Sequence, residues 1–246
     1  MLVKNEKVKR VIILVLTAII LIITPPTHAE TLARWQYDEF YDKFSDIVID
    51  AWYVDDLIRA NIREIMQGYP DGTMRPNANV TYGEFITMAV RNDGRPEAPE
   101  YSVLEAMRSL GLSSLDGHWA MRYAVIASGA SYIDREWGWL DKLDMPITRV
   151  DAASVLSRVN MRGIPNYRYD NIDISLLKFS DADRLTETQK KDIQGLYYTG
   201  TFDGYPDGTF RPFNNITRAE AAKIILLIYG PNLGVNANGN RIFIGR

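Results

Sequence analysis

The sequence predicts an all-α chain of three helix–loop–helix repeats packed against one another, following a cleaved signal peptide. Residues 68–85 (GYPDGTMRPNANVTYGEF) and 204–221 (GYPDGTFRPFNNITRAEA) align without a gap at an offset of 136. Repetition at a fixed spacing is the mark of a repeat architecture. Thr81, Thr148 and Thr217 recur 67 and 69 residues apart, which places a third, weaker copy between the other two. Apolar residues fall at helical spacing on both sides of each loop, and no run shows the sustained alternation of a strand.

The elements follow in order. Lys4, Lys7, Lys9 and Arg10 precede the apolar run 11–23, and Thr27-His28-Ala29 offers the small residues that suit signal peptidase. Cleavage after Ala29 is expected, with an uncleaved membrane anchor as the alternative; the run is shorter than the roughly 20 residues a bilayer span wants. An N-terminal segment, 30–43, leads to repeat 1 at 44–93, a divergent repeat 2 at 94–160 and repeat 3 at 161–230. A Gly- and Asn-rich tail, 231–246, reads as flexible.

Within each repeat the first helix is marked by Leu57, Ile58, Ile62 and Ile65; by Met121, Ala124, Val125 and Ala127; and by Ile193, Leu196 and Tyr197. The Tyr-Pro-Asp-Gly runs are turns, because Pro presets φ and Gly supplies the left-handed position. Thr81 with Glu84, and Thr217 with Glu220, have capping-box spacing, and Thr148 with Asp151 is a shorter version. The second helices carry Phe85, Met88 and Ala89; Ala152, Val155, Leu156 and Val159; and Ala221, Ile224, Ile225 and Ile228. A further helix is expected at roughly 99–110. Two helices bury little surface alone, so the units should pack together.

Composition narrows the chemistry. The leader carries four basic residues and one acidic one, so a chain of net charge −3 becomes −6 without it. Such a chain has no general field for nucleic acid or an anionic membrane, and any anion must be held by a few placed cations. There is no cysteine, and after cleavage His118 is the one histidine left. Zinc sites built on several His or Cys ligands are therefore excluded. Asp203 and Asp207 around Gly204 do not have the EF-hand spacing. No metal or cofactor is expected, and no pair of carboxylates stands in a recognised catalytic pattern, so an enzyme is not expected.

The openings Phe44-Ser45-Asp46 and Phe179-Ser180-Asp181, the run His118-Trp119-Ala120, the two GYPDGT loops and Ile216-Thr217-Arg218-Ala219-Glu220 together resemble the S-layer homology family over about residues 44–229. Ile147-Thr148-Arg149 matches the last motif in part. The resemblance implies a pseudo-threefold helical bundle with grooves between units. It also implies binding of a secondary cell-wall polysaccharide, commonly one bearing a pyruvate ketal, and a cell-surface location. The Thr-Arg arginine is the group it implies at the ligand. Unit 1 departs by having Tyr82 in the arginine's place, and unit 3 has no tryptophan near Glu187, where the counterpart of Trp52 falls.

The candidate ligand-binding residues are Arg218, Arg149, Trp52, Trp119, Thr217, Asp46 and Asp181. Arg149 and Arg218 stand at the first helical position, where a cation opposes the helix dipole. Their presence there suits an anion held between guanidinium and free helix N–H groups. The alternative is pairing with a nearby carboxylate such as Asp46 or Asp181. Trp52 and Trp119 suit either sugar stacking or core packing. Trp137 and Trp139 lie in a polar loop that also suits a short strand edge. A groove needing one Thr-Arg arginine and one opening tryptophan is expected once: Arg218 with Trp52 if neighbours share it round a ring, or Arg149 with Trp119 if one unit supplies both. Other surface-layer proteins are an alternative partner, and a wall hydrolase with an unrecognised site is a third reading.

Overall fold

Eight α-helices occur among the residues that the computed structural model describes, which are 31–95, 99–110, 117–133, 138–161, 172–228, 233–235 and 241–243; seven follow from these signals, and the first falls in the segment 30–43, where no helix is expected. They are α1 (Arg34–Lys43), α2 (Val54–Ile62), α3 (Tyr82–Asn92), α4 (Glu100–Leu110), α5 (Met121–Gly129), α6 (Arg149–Met161), α7 (Glu187–Tyr198) and α8 (Arg218–Leu227). All belong to one compact unit, Arg34–Arg246. Of the preceding unit, Met1–Ala33, only 31–33 are described, without regular structure, so the expected signal peptide lies outside the described residues. None of the described helices is long and apolar enough to cross a membrane. In the tail, where no element is expected, β1 (Leu233–Val235) pairs antiparallel with β2 (Arg241–Phe243).

The predicted caps set the helix starts. Thr81 and Thr217 close complete capping boxes with Glu84 and Glu220. The Thr148 hydroxyl accepts the Asp151 N–H at 3.2 Å, and the shorter Asp151 carboxylate takes the Thr148 hydroxyl at 2.6 Å. A further box, Thr186 with Gln189, starts α7; its S/T-x-x-E/Q spacing was legible but not singled out.

The three capped segments meet at a closed ring of backbone hydrogen bonds. Val80 N–H donates to the Ile216 carbonyl (3.0 Å), Ile216 N–H to Ile147 (3.2 Å), and Ile147 N–H to Val80 (3.0 Å). All three side chains are fully buried, which removes water as a competitor for these bonds. The first helix of each unit then packs on the second helix of the unit before it: α5 on α3, α7 on α6, and α2 on α8, which closes the circle. Helices α5 and α6 take their place in this ring, with α4 added against α5.

The ring also consumes the helix N-termini. Tyr82, Arg149 and Arg218 N–H groups donate to the carbonyls of Met145, Asn214 and Ala78 at 2.8–2.9 Å. The next N–H groups, of Gly83, Val150 and Ala219, donate to Leu143, Pro212 and Pro76 at 2.9–3.0 Å. These groups, which an isolated helix leaves unsatisfied, were expected to be free for an anion; neighbouring units have taken them.

The F-S-D openings and the GYPDGT loops are one device. Asp46 accepts from Met74 and Arg75 N–H, both at 2.7 Å, and Asp181 from Phe210 and Arg211 N–H at 2.9 and 2.8 Å. These bonds hold Arg75 and Arg211 at φ 54° and 57°, a conformation that non-glycine residues avoid. The opening phenylalanine lies beneath the first glycine of the loop. A Cβ on Gly68 would overlap the Phe44 ring and stand 2.8 Å from the Thr73 carbonyl oxygen; on Gly204 it would overlap Phe179 and stand 2.9 Å from that of Thr209. Gly68→Ala and Gly204→Ala are each expected to destabilise the protein by about 1–3 kcal/mol, read from denaturant midpoints. Unchanged midpoints would mean that the openings do not clamp the loops.

The loop tips also carry a pH signature. Thr73 first and Arg75 second hydrogen-bond the exposed Asp71 carboxyl and hold its pKa at about 2, below the usual 3.8; Thr209 and Arg211 do the same for Asp207. A carboxyl depressed by folding stabilises the folded state above its unfolded pKa and loses that contribution as pH falls through its folded value. The tips, followed by the fluorescence of Tyr69 and Tyr205, should therefore hold from neutral pH to about 4 and loosen only from there toward pH 2. A transition centred near pH 5 would contradict this origin.

Candidate functional site: grooves between the units

The side chain at the first helical position of each central helix reaches into the next unit and meets that unit's N3 carboxylate. Arg218 Nη1 lies 3.0 Å from Glu84, the Tyr82 hydroxyl donates to the Asp151 carboxylate, and Arg149 Nη1 lies 4.0 Å from Glu220. The arginine partners are thus Glu84 and Glu220. Asp46 and Asp181, the carboxylates suggested by sequence, are occupied with loop N–H groups instead.

The two arginines are not equivalent. Arg218 is 3% exposed and donates from Nε to the Met74 carbonyl and from Nη2 to the Gln67 carbonyl, both at 2.9 Å, besides its pair with Glu84. Its guanidinium lies 4.7 Å from the Tyr69 ring centre, and the Tyr69 hydroxyl donates to Glu84 at 2.7 Å. Arg149 is 7% exposed and stacked among Phe202, Tyr205 and Phe210 at 4.5–5.0 Å. It donates to the Asp203 carbonyl at 2.5 Å, while its buried Nε has no hydrogen-bond partner. Burial, the leading influence, pulls the Arg149 pKa below the usual arginine value. Arg149 therefore keeps more unspent donor capacity than Arg218, although the helix-dipole argument applies to both alike.

Both opening tryptophans are exposed, Trp52 at 60% and Trp119 at 53%, which removes the core-packing alternative. Trp119 leans over the start of α3, 3.6 Å from where a Gly83 Cβ would be, with the His118 ring stacked on it. Ala120 N–H donates to His118 Nδ1, and Asp144 lies 3.2 Å from Nε2, so the imidazole is held on both sides. On α8, one turn beyond Ala219, the counterpart of Gly83, Trp52 lies 5.6 Å from Lys223 Nζ.

Arg218 and Trp119 line one cavity of about 350 Å³ together with Gln67, Tyr69, Glu84 and Arg91. Neither expected pairing, Arg218 with Trp52 or Arg149 with Trp119, describes it. This cavity is lined from three parts of the ring: an arginine at the start of α8, the Tyr69 loop with Glu84 of α3, and a tryptophan that precedes α5. The same relation puts Arg149 and Trp52 on either side of the unit 3 loop, since both meet side chains of α8, Glu220 and Lys223. The losses then fall together. Tyr82 and the missing tryptophan near Glu187 both belong to the groove around the middle loop, which also lacks GYPDGT.

Thr217 spends its hydroxyl within its own cap, accepting the Glu220 N–H at 3.2 Å. Trp137 lies outside the described residues. Trp139 begins a short 3₁₀ turn, Trp139–Lys142, and not a strand edge. Gln67, Glu84 and Glu220 are groove residues that the sequence reading missed; the N1–N3 recurrence in every repeat was the available signal. No cluster able to hold a metal occurs among the described residues.

With this geometry in view, the comparisons with known proteins agree. Residues 43–86 and 178–222 match the S-layer homology domain, the middle unit lying outside both matches. The chain is similar to Cell surface glycoprotein 1 of Acetivibrio thermocellus, with 32% identity over 167 residues, 66% of this chain and 7% of that protein. It is similar to the Amylopullulanase of Thermoanaerobacterium thermosulfurigenes at 27% identity, covering 81% of this chain and 10% of that enzyme. It is also similar to the Cellulosome-anchoring protein of A. thermocellus at 29% identity, over 65% of this chain and 34% of that protein. The chain thus spans a small part of the first two relatives and about a third of the last.

Proposed function

We propose that the protein anchors noncovalently to the bacterial cell wall by holding an anionic secondary cell-wall polysaccharide, of the kind bearing a pyruvate ketal, in two grooves. The observation that carries this reading is the cavity against which Arg218 and Trp119 both stand. A guanidinium at the floor and an exposed indole at the rim suit a carboxylate attached to a sugar ring: the charge-assisted bond fixes the acid, and the indole covers the apolar ring face. The groove of Arg149 and Trp52 repeats the arrangement. The S-layer homology matches, and similarity to proteins named for the cell surface and for cellulosome anchoring, support the same reading. On this reading the protein acts as a binding module on the outside of the cell.

Cosedimentation with purified walls tests this. The protein should pellet with intact walls and stay in solution once the polysaccharide, or its ketal alone, is removed. Pelleting that survives removal of the polysaccharide would overturn the reading.

A further inference from the structure

The Arg218–Trp119 groove does not end at Arg91. Gln67 and Arg91 also line a second hollow of about 500 Å³, whose other walls include Arg63, Arg95, Glu64 and Tyr123. Three arginines meet there. Arg91 donates from Nε and Nη2 to the Tyr123 hydroxyl at 3.0 and 2.8 Å, and Arg95 pairs with Asp93. Arg63 is exposed and its side chain pairs with nothing among the described residues.

The internal repeat supplies a control for what the scaffold requires. Arg63 is the C-cap of α2, and the C-caps of α5 and α7 are Ala130 and Thr199. Arg91 is the tenth residue of α3; its counterparts are Arg158 in α6 and Leu227 in α8. The groove of Arg149 and Trp52 therefore has Thr199 and Leu227 where this one has two arginines. A helix end gains from a nearby cation, yet α7 and α8 end without one, so ending a helix in this ring does not demand these cations.

We propose that the Arg63–Arg91–Arg95 hollow is a second anion subsite, taking a carboxylate or phosphate on the polymer residue next to the one held by Arg218 and Trp119. It rests on the anchoring reading and makes the two grooves unequal: one reads two successive acidic groups, the other a single one. Glu64 faces the same hollow and opposes an anion there, so Glu64→Gln should strengthen binding.

Titration of inorganic phosphate into protein isotope-labelled at arginine, followed through the Nε–Hε signals, tests the hollow directly. Saturating shifts of Arg63, Arg91 and Arg95 are expected, unchanged by Arg149→Met; in the Arg63→Ser, Arg95→Ser protein the Arg91 signal should no longer show a saturating shift. Signals that stay still, or drift without saturating like that of the remote Arg34, would overturn the site. In a second arm, solubilised wall polymer should bind the Arg63→Ser, Arg95→Ser protein roughly tenfold more weakly than the wild type. Equal affinity alongside an intact phosphate curve would show that the hollow takes free phosphate, and would overturn the polymer subsite. Polymer that binds neither protein defeats the anchoring reading instead, and the phosphate arm still decides whether the hollow holds an anion.

Discussion

Arg218→Ala is expected to lower the unfolding free energy by about 3–5 kcal/mol, because it breaks a buried ion pair and leaves the other partner behind. The substitution strands Glu84, to which Arg218 is bonded at 3.0 Å, and removes the donor that satisfies the Met74 and Gln67 carbonyls. Those groups belong to unit 1 and the arginine to unit 3, so the damage falls on the contact that closes the ring. Urea titration reads the loss, and a shift below about 1 kcal/mol would show that the pair is solvated and not structural. Loss of wall binding in this variant would therefore report folding as much as recognition. Arg149→Met separates the two. Its ion pair is long at 4.0 Å, its Nε is unsatisfied and its surroundings are aromatic. An apolar replacement of similar shape at such a site should leave stability within about 1 kcal/mol of the wild type while weakening the groove it serves.

Removal of both rim tryptophans, Trp52→Ala with Trp119→Ala, should abolish wall cosedimentation without unfolding the protein. At 60% and 53% exposure they contribute little to the core. Two grooves on one rigid body that engage the same polymer act together, and the second contact can raise apparent affinity by about 10²–10⁴. Each single variant should thus lose most of that gain and retain weak, one-groove binding, and the double variant should lose that as well. The decisive comparison is between the singles: a wild-type level of binding in either means that its groove is idle. Titration with a short soluble fragment should give two sites for the wild type, one for each single variant and none for the double.

The local rules were legible. Capping-box spacing at Thr81 and Thr217 placed two helix starts, the turn chemistry of Tyr-Pro-Asp-Gly placed the loops, and 3.6-residue periodicity placed the helices on either side. Less was readable at the site. The exposed state of Trp52 and Trp119 runs against residue type, because large aromatics are more often core. The alternative that the arginines pair with a carboxylate holds in kind, but the partners are Glu84 and Glu220 and not Asp46 or Asp181. The Asp46 and Asp181 carboxylates are claimed by backbone N–H groups at Met74 and Arg75 and at Phe210 and Arg211, in the loop of the same unit.

The sequence by itself determined that the loop-and-cap pattern at 68–85 recurs at 204–221, where the helices capped by Thr81, Thr148 and Thr217 begin, and that any anion must be met by placed cations, since these depend on composition and on contacts within a few residues. Only the tertiary structure decided which residues share a groove. Arg218 and Trp119 come from different units and converge on a third, Val80, Ile147 and Ile216 bind one another in a circle, and the departures at Tyr82 and Glu187 fall on one groove instead of two. The helix N–H groups that seemed available to a ligand were spent in the same step: closing the ring brings carbonyls from neighbouring units within 2.8–3.0 Å of them, and no local pattern in a single repeat records where another repeat's backbone will lie.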